Sequence, residues 1–319
     1  MFTLKRSLKP ANIVYKVFRF FLLIGICYLF LFPILYMLSL AVRHPMTVDD
    51  PSIVWLPKAV SLESIKAAAK YLKYKDSFLI TFLITAVSTL ASVISCSMVG
   101  YGLSRFKFKT RNFLFVIVIL MIVVPPQLLM IPQFLNYRYF TIAGILTLLE
   151  PITGVANINL VEGNSAVLTF ILPAMFASGL RSGLFIFMFN QFFSGMHKEL
   201  EEAAKIDGCS AFGTYYKIAI PLSKPAIITV ILYSIVWHWN EYYTSSIYFL
   251  GEIKPLSVML KNLTNNLVND NIELVLQSRE LLRTYLAAGA LLTILPLLIF
   301  YVFAQRYFVE SIENTGLVG

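Results

Sequence analysis

The chain has 319 residues, of which 58% are apolar and only 13% charged, and its mean hydropathy is +0.75. Soluble domains carry about a quarter charged residues, so this balance excludes an ordinary soluble domain and points to an integral membrane protein. The net charge of +9 reads as lysine and arginine at the ends of membrane spans rather than as a nucleic-acid surface, and Cys27, Cys96 and Cys209 are too scattered for a disulfide framework or a thiolate metal site.

Apolar runs long enough to span a bilayer, which takes roughly 20 residues, occur at 20–42, 78–103, 113–135, 166–190, 226–250 and 285–308. Lys5, Arg6 and Lys9 precede the first run, and Ser39-Leu40-Ala41 looks faintly like a cleavage site. The run is about twice the length of a signal-peptide core, so it reads as a retained anchor. Lys66, Lys70 and Lys73 follow at helical spacing and predict a surface helix. In the second run Thr81, Thr85, Ser88, Ser92 and Ser95 form one helical stripe, which either lines a path or packs helices through small residues, packing being favoured. Pro125, Pro126 and Pro132 should kink the third run. The run 142–149 is too short to span and is expected at the interface or as a re-entrant piece. In the fourth run Gly179-x-x-x-Gly183 is a weak packing motif.

The fifth run carries the polar cluster. Ser234, His238, Glu241 and Ser245 fall on one helical face, with Trp237, Trp239, Asn240 and Tyr242 nearby. A carboxylate at membrane depth costs about 2.5–3.5 kcal/mol even on insertion scales, so it must face a wet cavity or a partner. Two readings stand: Ser234, Trp237, His238, Asn240 and Glu241 contact a saccharide on the substrate path, or Glu241 forms an internal pair, with Arg181 as the candidate. The segment 251–284 reads as a polar, asparagine-rich outer loop.

Orientation follows from the basic residues. An inside N-terminus places 1–19, 104–112, 191–225 and the tail inside, and 43–77, 136–165 and 251–284 outside. The first inner segments hold Lys5, Arg6, Lys9, Lys16 and Arg19, then Arg105, Lys107, Lys109 and Arg111, against a basic exception at 58–75 outside. The bias favours cytoplasmic N- and C-termini.

The segment 197–225, HKELEEAAKIDGCSAFGTYYKIAIPLSKP, holds four of the chain's 17 acidic residues between two apolar runs. Helix formers fill 197–206, Gly208 stops the helix, Ser210 can cap a second one, and Pro221 and Pro225 should end that one. The result is a helix–turn–helix with a small, smooth tip at Ala203 and Ala204, and with Glu199 and Glu202 placed to pair with arginines on a partner.

Glu202, Ala203, Ala204, Gly208, Ile218 and Pro221 stand at the spacing Glu-Ala-Ala, three residues, Gly, nine residues, Ile-x-Leu-Pro, with Ile220 in place of Leu. This resembles the cytoplasmic signature of ATP-binding-cassette (ABC) importer permeases. GLRSGLFIFMFNQFF before it and VWHWNEYY after it are similar to the carbohydrate branch, specifically the shorter maltose-type permease. The resemblance covers most of residues 70–319. It implies an all-α integral membrane protein with six transmembrane helices, comprising a cytoplasmic N-terminus (1–19), a permease domain (20–308) with a coupling loop (197–221), and a cytoplasmic tail (309–319). It implies a bacterial inner-membrane location and coupling to ATPase through Glu199, Glu202, Ala203, Ala204, Asp207, Gly208, Ile218 and Pro221. The implied partners are a second permease subunit forming a heterodimer, two ATPase subunits, an extracytoplasmic solute-binding protein that meets the 251–284 loop, the lipid bilayer and a carbohydrate, with no nucleic acid. The dipeptide Gly-Lys never occurs, so no phosphate-cradling loop exists. The chain is expected to bind no cofactor or metal and not to be an enzyme, ATP being used by the partner. His44, His197 and His238 lie far apart, and no nucleophile–base pair supports an intramembrane enzyme. The competing reading is an ion-coupled secondary transporter using Glu241 or Arg181, which leaves the signature unexplained.

Overall fold

A computed structural model describes residues 10–48, 57, 59–141, 150, 157–270 and 279–316; the short run 142–149 lies outside them. Among the described residues the chain is helical, with two isolated bridges, Arg43 to Val60 and Phe140 to Ile158. It divides into two compact units, Met1–Tyr71 with Leu263–Leu292, and Leu72–Asn262 with Thr293–Gly319.

The first unit contains α1 (Pro10–Ala41) and α2 (Glu63–Tyr71). Its core is built on small side chains, Ala41, Ala68 and Ala288 with Leu291, and Met37 and Ile65 pack against them. The apolar window of α1 is unburied within the chain, as suits a helix whose neighbours are lipid or another subunit. Lys66 and Lys70 are exposed on α2 as expected. Lys73 departs from that helix: it takes a left-handed backbone (φ 45) between α2 and the next helix, and its Nζ is 2.8 Å from Glu252.

The second unit is organised around α3 (Tyr74–Arg105), which packs along α6 (Leu168–Met175), α7 (Ser182–Gly195) and α10 (Lys224–Trp239). The stripe of small polar residues is the packing face. Thr81, Thr85, Ser88 and Ser92 are buried, and Ser95 Oγ donates to Ala174 O at 2.6 Å. With no hydrophobic force between helices in lipid, backbones must come close to gain contact, and small residues permit that. The tightest approach is at Gly100, where a Cβ would lie 2.7 Å from Phe189 Cβ and 3.0 Å from Asn190 N. Thr81 Oγ1 also accepts the Leu256 amide at 2.9 Å. Leu256 begins α12 (Leu256–Asp270), and this bond satisfies an amide that the helix leaves open.

Three expected spans are single helices: 20–42, but for its last residue, within α1, 78–103 within α3, and 285–308 within α13 (Arg279–Gly316). The other three are not. The third run breaks into α4 (Arg111–Val123) and α5 (Pro126–Arg138), bent by 102°. Pro125 and Pro126 turn the chain rather than kink it, and Pro132 is absorbed inside α5. The fourth run splits into α6 and α7 at 176–181, where Ala177 (φ 52) and Arg181 (φ 59) are left-handed. Gly179 therefore lies in the break, against Ala174, while Gly183 packs on Met121 of α4; the two glycines share no helix face. The fifth run stops at Trp239 and resumes as α11 (Tyr243–Tyr248). By length and composition three helices can cross a membrane, or up to five if each bent pair counts as one span. The stretch 251–284 is not simply a polar loop. It contains α12, which buries Leu256, Val258, Met259, Leu263 and Leu267 and turns its asparagines away.

Gly100 generates a stability prediction. Gly100→Ala should lower unfolding stability in detergent micelles by about 1–3 kcal/mol, because its Cβ meets backbone that cannot yield cheaply. Gly102→Ala, which has open space, should be neutral. Equal thermal midpoints for the two variants would show that the close contact is not limiting.

Candidate functional site

The segment 197–221 folds as two helices joined by a short turn. α8 (Lys198–Ile206) ends at Gly208, whose φ of +80 suits glycine. Cys209 N bonds back to Ala204 O at 2.9 Å, closing the helix end. Ser210 caps the second helix, its Oγ accepting the Gly213 amide at 3.1 Å. That helix, α9 (Ala211–Leu222), passes through a π-helical turn at Tyr215–Ala219. The prolines do not end it as expected: Pro221 lies inside the run, and Pro225 starts α10 after a 75° bend.

Of the expected coupling residues, Glu199, Glu202, Ala203, Asp207, Gly208 and Pro221 are exposed, Ile218 is half-buried and Ala204 is buried. The two alanines therefore act on opposite sides, Ala203 outward and Ala204 against the protein. Around them an apolar surface faces out, with Ile206 86% exposed and Phe212, Tyr216 and Leu200 beside it in sequence and also exposed.

The residue that fastens this element, Glu201, is absent from the expected set. Its carboxylate oxygen Oε1 is 3.0 Å from Arg105 Nε, both side chains being almost wholly buried. The pair is not aligned as a hydrogen bond, so the attraction is Coulombic. Arg105 Nη2 also donates to Met196 O at 2.7 Å. The second helix is held by the same end of α3, because Ser97 Oγ is 2.8 Å from the Tyr215 hydroxyl and the Tyr101 and Tyr215 rings are 5.1 Å apart. Burial raises the Tyr215 phenol above its ordinary pKa, opposed by the bond to Ser97, and keeps it a neutral hydrogen-bonding group. Arg105 stands in the basic run 105–111, whose charge alone points only to topology. One helical step separates Glu201 from Glu202, and only the fold decides which of them turns inward.

The polar cluster of the fifth run separates. Ser234 and His238 are buried against α3: Ser234 Oγ lies 2.9 Å from Thr89 Oγ1, and His238 Nδ1 lies 2.9 Å from Ser234 O. They belong to a packing seam. Asn240 closes the helix, donating to Val236 O at 2.8 Å. Glu241 lies beyond the helix end, so it does not continue the Ser234–His238 face; its Oε1 accepts the Thr244 amide at 2.7 Å. No pair with Arg181 forms. Arg181 instead lies over the Trp237 ring, 5.3 Å from its centroid.

Trp237 alone of the expected path residues lines a cavity of about 330 Å³, together with Gln133, Tyr137, Arg181, Thr244 and Tyr248. The Tyr248 hydroxyl donates to Gln133 Oε1 at 3.2 Å, and Tyr137 packs edge-on to the Tyr248 ring. Aromatic faces with a few fixed polar groups are the composition of a small-molecule site. Sequence reasoning does not reach Gln133, Tyr137, Thr244 and Tyr248 because they come from two helices far apart in the chain, α5 and α11, and it places Arg181 only as a partner for Glu241. Arg181, an arginine within an apolar run, was the available signal.

Glu201→Gln should leave Arg105 charged and unpaired in a buried position. That costs about 3–5 kcal/mol when a buried pair is broken. Amide hydrogen exchange in Lys198–Ile206 should then accelerate strongly, while exchange in the middle of α3 is unchanged. Unaltered protection of α8 would show that the pair does not hold the loop.

Residues 91–314 match the family described as "Binding-protein-dependent transport system inner membrane component". The chain is 30% identical, over 85% of its length and 82% of the relative's, to the arabinooligosaccharides transport system permease protein AraQ of Halalkalibacterium halodurans. It is 29% identical, over 81% of each chain, to the probable starch degradation products transport system permease protein AmyC of Thermoanaerobacterium thermosulfurigenes. Its fold is similar, with a TM-score of 0.72 and 23% identity over 94% of this chain and 98% of the other, to a crystal structure of a bacterial ABC transporter involved in the import of the acidic polysaccharide alginate. A two-helix element fastened to a membrane-length helix, beside a family match over residues 91–314, fits a transport component rather than an enzyme, and the chain belongs to the binding-protein-dependent transport system inner membrane components.

Proposed function

We propose that this permease subunit imports a carbohydrate, that it forms half of the translocation path with a second permease, and that residues 197–221 couple it to cytoplasmic ATPase subunits. The observation that carries the coupling reading is the exposed apolar set Leu200, Ile206, Phe212 and Tyr216 on an element otherwise rich in charge. Large apolar side chains facing out of a charged, polar helix pair mark a surface for another protein. Glu199, Glu202 and Asp207 supply a charged rim around that surface, and Gly208, with nothing within 4 Å of a would-be Cβ, leaves room for a partner backbone. Arg105 and Tyr101 connect a push on this surface to α3.

The carbohydrate reading rests on the aromatic cavity and on relatives whose names are those of oligosaccharide and starch-product permeases. In this reading the chain has six spans in the domain 20–308, with α4–α5, α6–α7 and α10–α11 counting as broken spans, and with the N-terminus 1–19 and the tail 309–319 in the cytoplasm. ATP is used by the partner ATPase, and a solute-binding protein delivers substrate from outside. The ion-coupled alternative placed its weight on Glu241 or Arg181. Glu241 is engaged at the start of α11, and family membership supplies an energy source that the alternative does not need.

Two measurements test this reading. Lys198→Cys should resist impermeant maleimide in intact cells, while Asn265→Cys should label; labelling of the former from outside would reverse the topology. Ile206→Asp should weaken retention of the ATPase on the purified complex by about tenfold, on the scale of one well-buried interface residue. Full retention together with normal substrate-stimulated ATP hydrolysis would reduce the loop to a connector.

A further inference from the structure

The cavity beside Trp237 carries one charged side chain among its lining residues, Arg181. Three features make that arginine costly as a purely structural element. It sits in a break between two apolar helices, within the run 166–190. Its backbone is left-handed at φ 59, a conformation uncommon for a non-glycine residue. It occupies the N-cap of α7, where the helix dipole already presents positive charge and favours an anion rather than a cation. Among the described residues no carboxylate pairs with it. Glu241, the acidic residue on the neighbouring break, is turned to the Thr244 amide. The guanidinium instead rests on the Trp237 face, which Tyr233 stacks from 5.3 Å. A cation held over an aromatic ring at the wall of a cavity, with a helix N-terminus of the same sign beside it, is a prepared site for an anion.

We infer that this cavity takes an acidic saccharide, a uronate-containing unit whose carboxylate is clamped by Arg181 while its ring lies against Tyr137, a half-buried aromatic of the lining. The inference rests on the carbohydrate reading above and narrows it. Guanidinium and carboxylate are planar and match in a two-bond fork, which a neutral sugar cannot offer. Gln133 and Thr244 are left to meet ring hydroxyls, as neutral polar groups do in sugar sites. A structural role for Arg181, as a cation–π prop for Trp237, requires no anion and makes the opposite forecast about ligand charge.

The experiment uses the complete importer in phosphatidylcholine nanodiscs, which keep anionic lipid headgroups away from the site. Trigalacturonate and its carboxyl-reduced neutral counterpart are titrated calorimetrically. The acidic probe should bind about tenfold or more tighter, the scale of one charge-assisted contact, and the preference should shrink as salt is raised. Arg181→Gln should abolish the preference, the acidic probe binding no tighter than the neutral one; Arg181→Lys should restore part of it. Equal binding of the two probes, or a preference that survives Arg181→Gln, would overturn the inference and leave the carbohydrate reading standing. Binding of neither probe would overturn both. Loss of the acidic preference only when phosphatidylglycerol is added to the nanodiscs would assign the site to a lipid headgroup instead and overturn the saccharide clamp.

Discussion

Everything in the second unit depends on how closely α3 can approach α7. In an apolar solvent two helices gain nothing from excluding water, so contact and hydrogen bonding must hold them. Gly100 admits the backbone of Ile186–Asn190, and Asn190 Nδ2 answers with a long bond to Gly100 O at 3.4 Å. Some hydroxyls on the same helix are settled locally, Thr81 donating to Ser77 O and Ser97 to Ile94 O. Those of Thr85, Ser88 and Ser92 are buried with no hydrogen-bond partner among the described residues, a cost that the close contact of the helices must offset. The hub is therefore made of residues that look unremarkable one at a time. Their effect is that the C-terminal end of α3, carrying Tyr101 and Arg105, is positioned by the same contact that fixes its middle.

Two ion pairs show how differently the same chemistry acts. Lys73 and Glu252 meet at 2.8 Å in solvent; the hydrogen bond from Lys73 and its charge lower the Glu252 pKa, but an exposed pair of this kind contributes little to stability. Arg105 and Glu201 are buried, and removing both for apolar groups need not destabilise the protein. What the buried pair supplies is position. Arg105 also holds Met196 O, at the junction of α7 and α8, so one guanidinium fixes where the helix–turn–helix begins and which face of α8 turns inward. The other face is then free to carry Ile206 and Glu202 outward.

Much of this was legible in the residues. Long uniform apolar runs gave α1, α3 and α13, and local turn chemistry gave Gly208 and the Ser210 cap, because each of those features is decided within a few residues. The Pro125-Pro126 pair announced a disturbance but not its size; a 102° bend depends on what α4 and α5 pack against. The break at 176–181 had no proline to mark it, since Ala177 and Arg181 adopt left-handed backbones that neither residue favours. The fifth run looked like one face of one helix, and that periodicity lost its meaning where the helix ended at Trp239. Glu201 was hidden by its neighbour: only the location of Arg105 distinguishes two adjacent glutamates.

The same breaks that interrupt the expected spans also account for the cavity. A helix end at membrane depth leaves amide and carbonyl groups that lipid cannot satisfy, so irregular backbone persists there only against protein or a wet space. Val124 and Pro126 at the first break, Ser178 to Arg181 at the second and Thr244 just past the third all line the one cavity described. Three interruptions from separate stretches of chain converge on it. Continuous helices would have covered that space with apolar side chains, and Arg181 would have had no place to point. The loss of helix continuity and the gain of a polar-lined recess are thus one structural event, and the left-handed backbone at Arg181 lies in the wall of that recess.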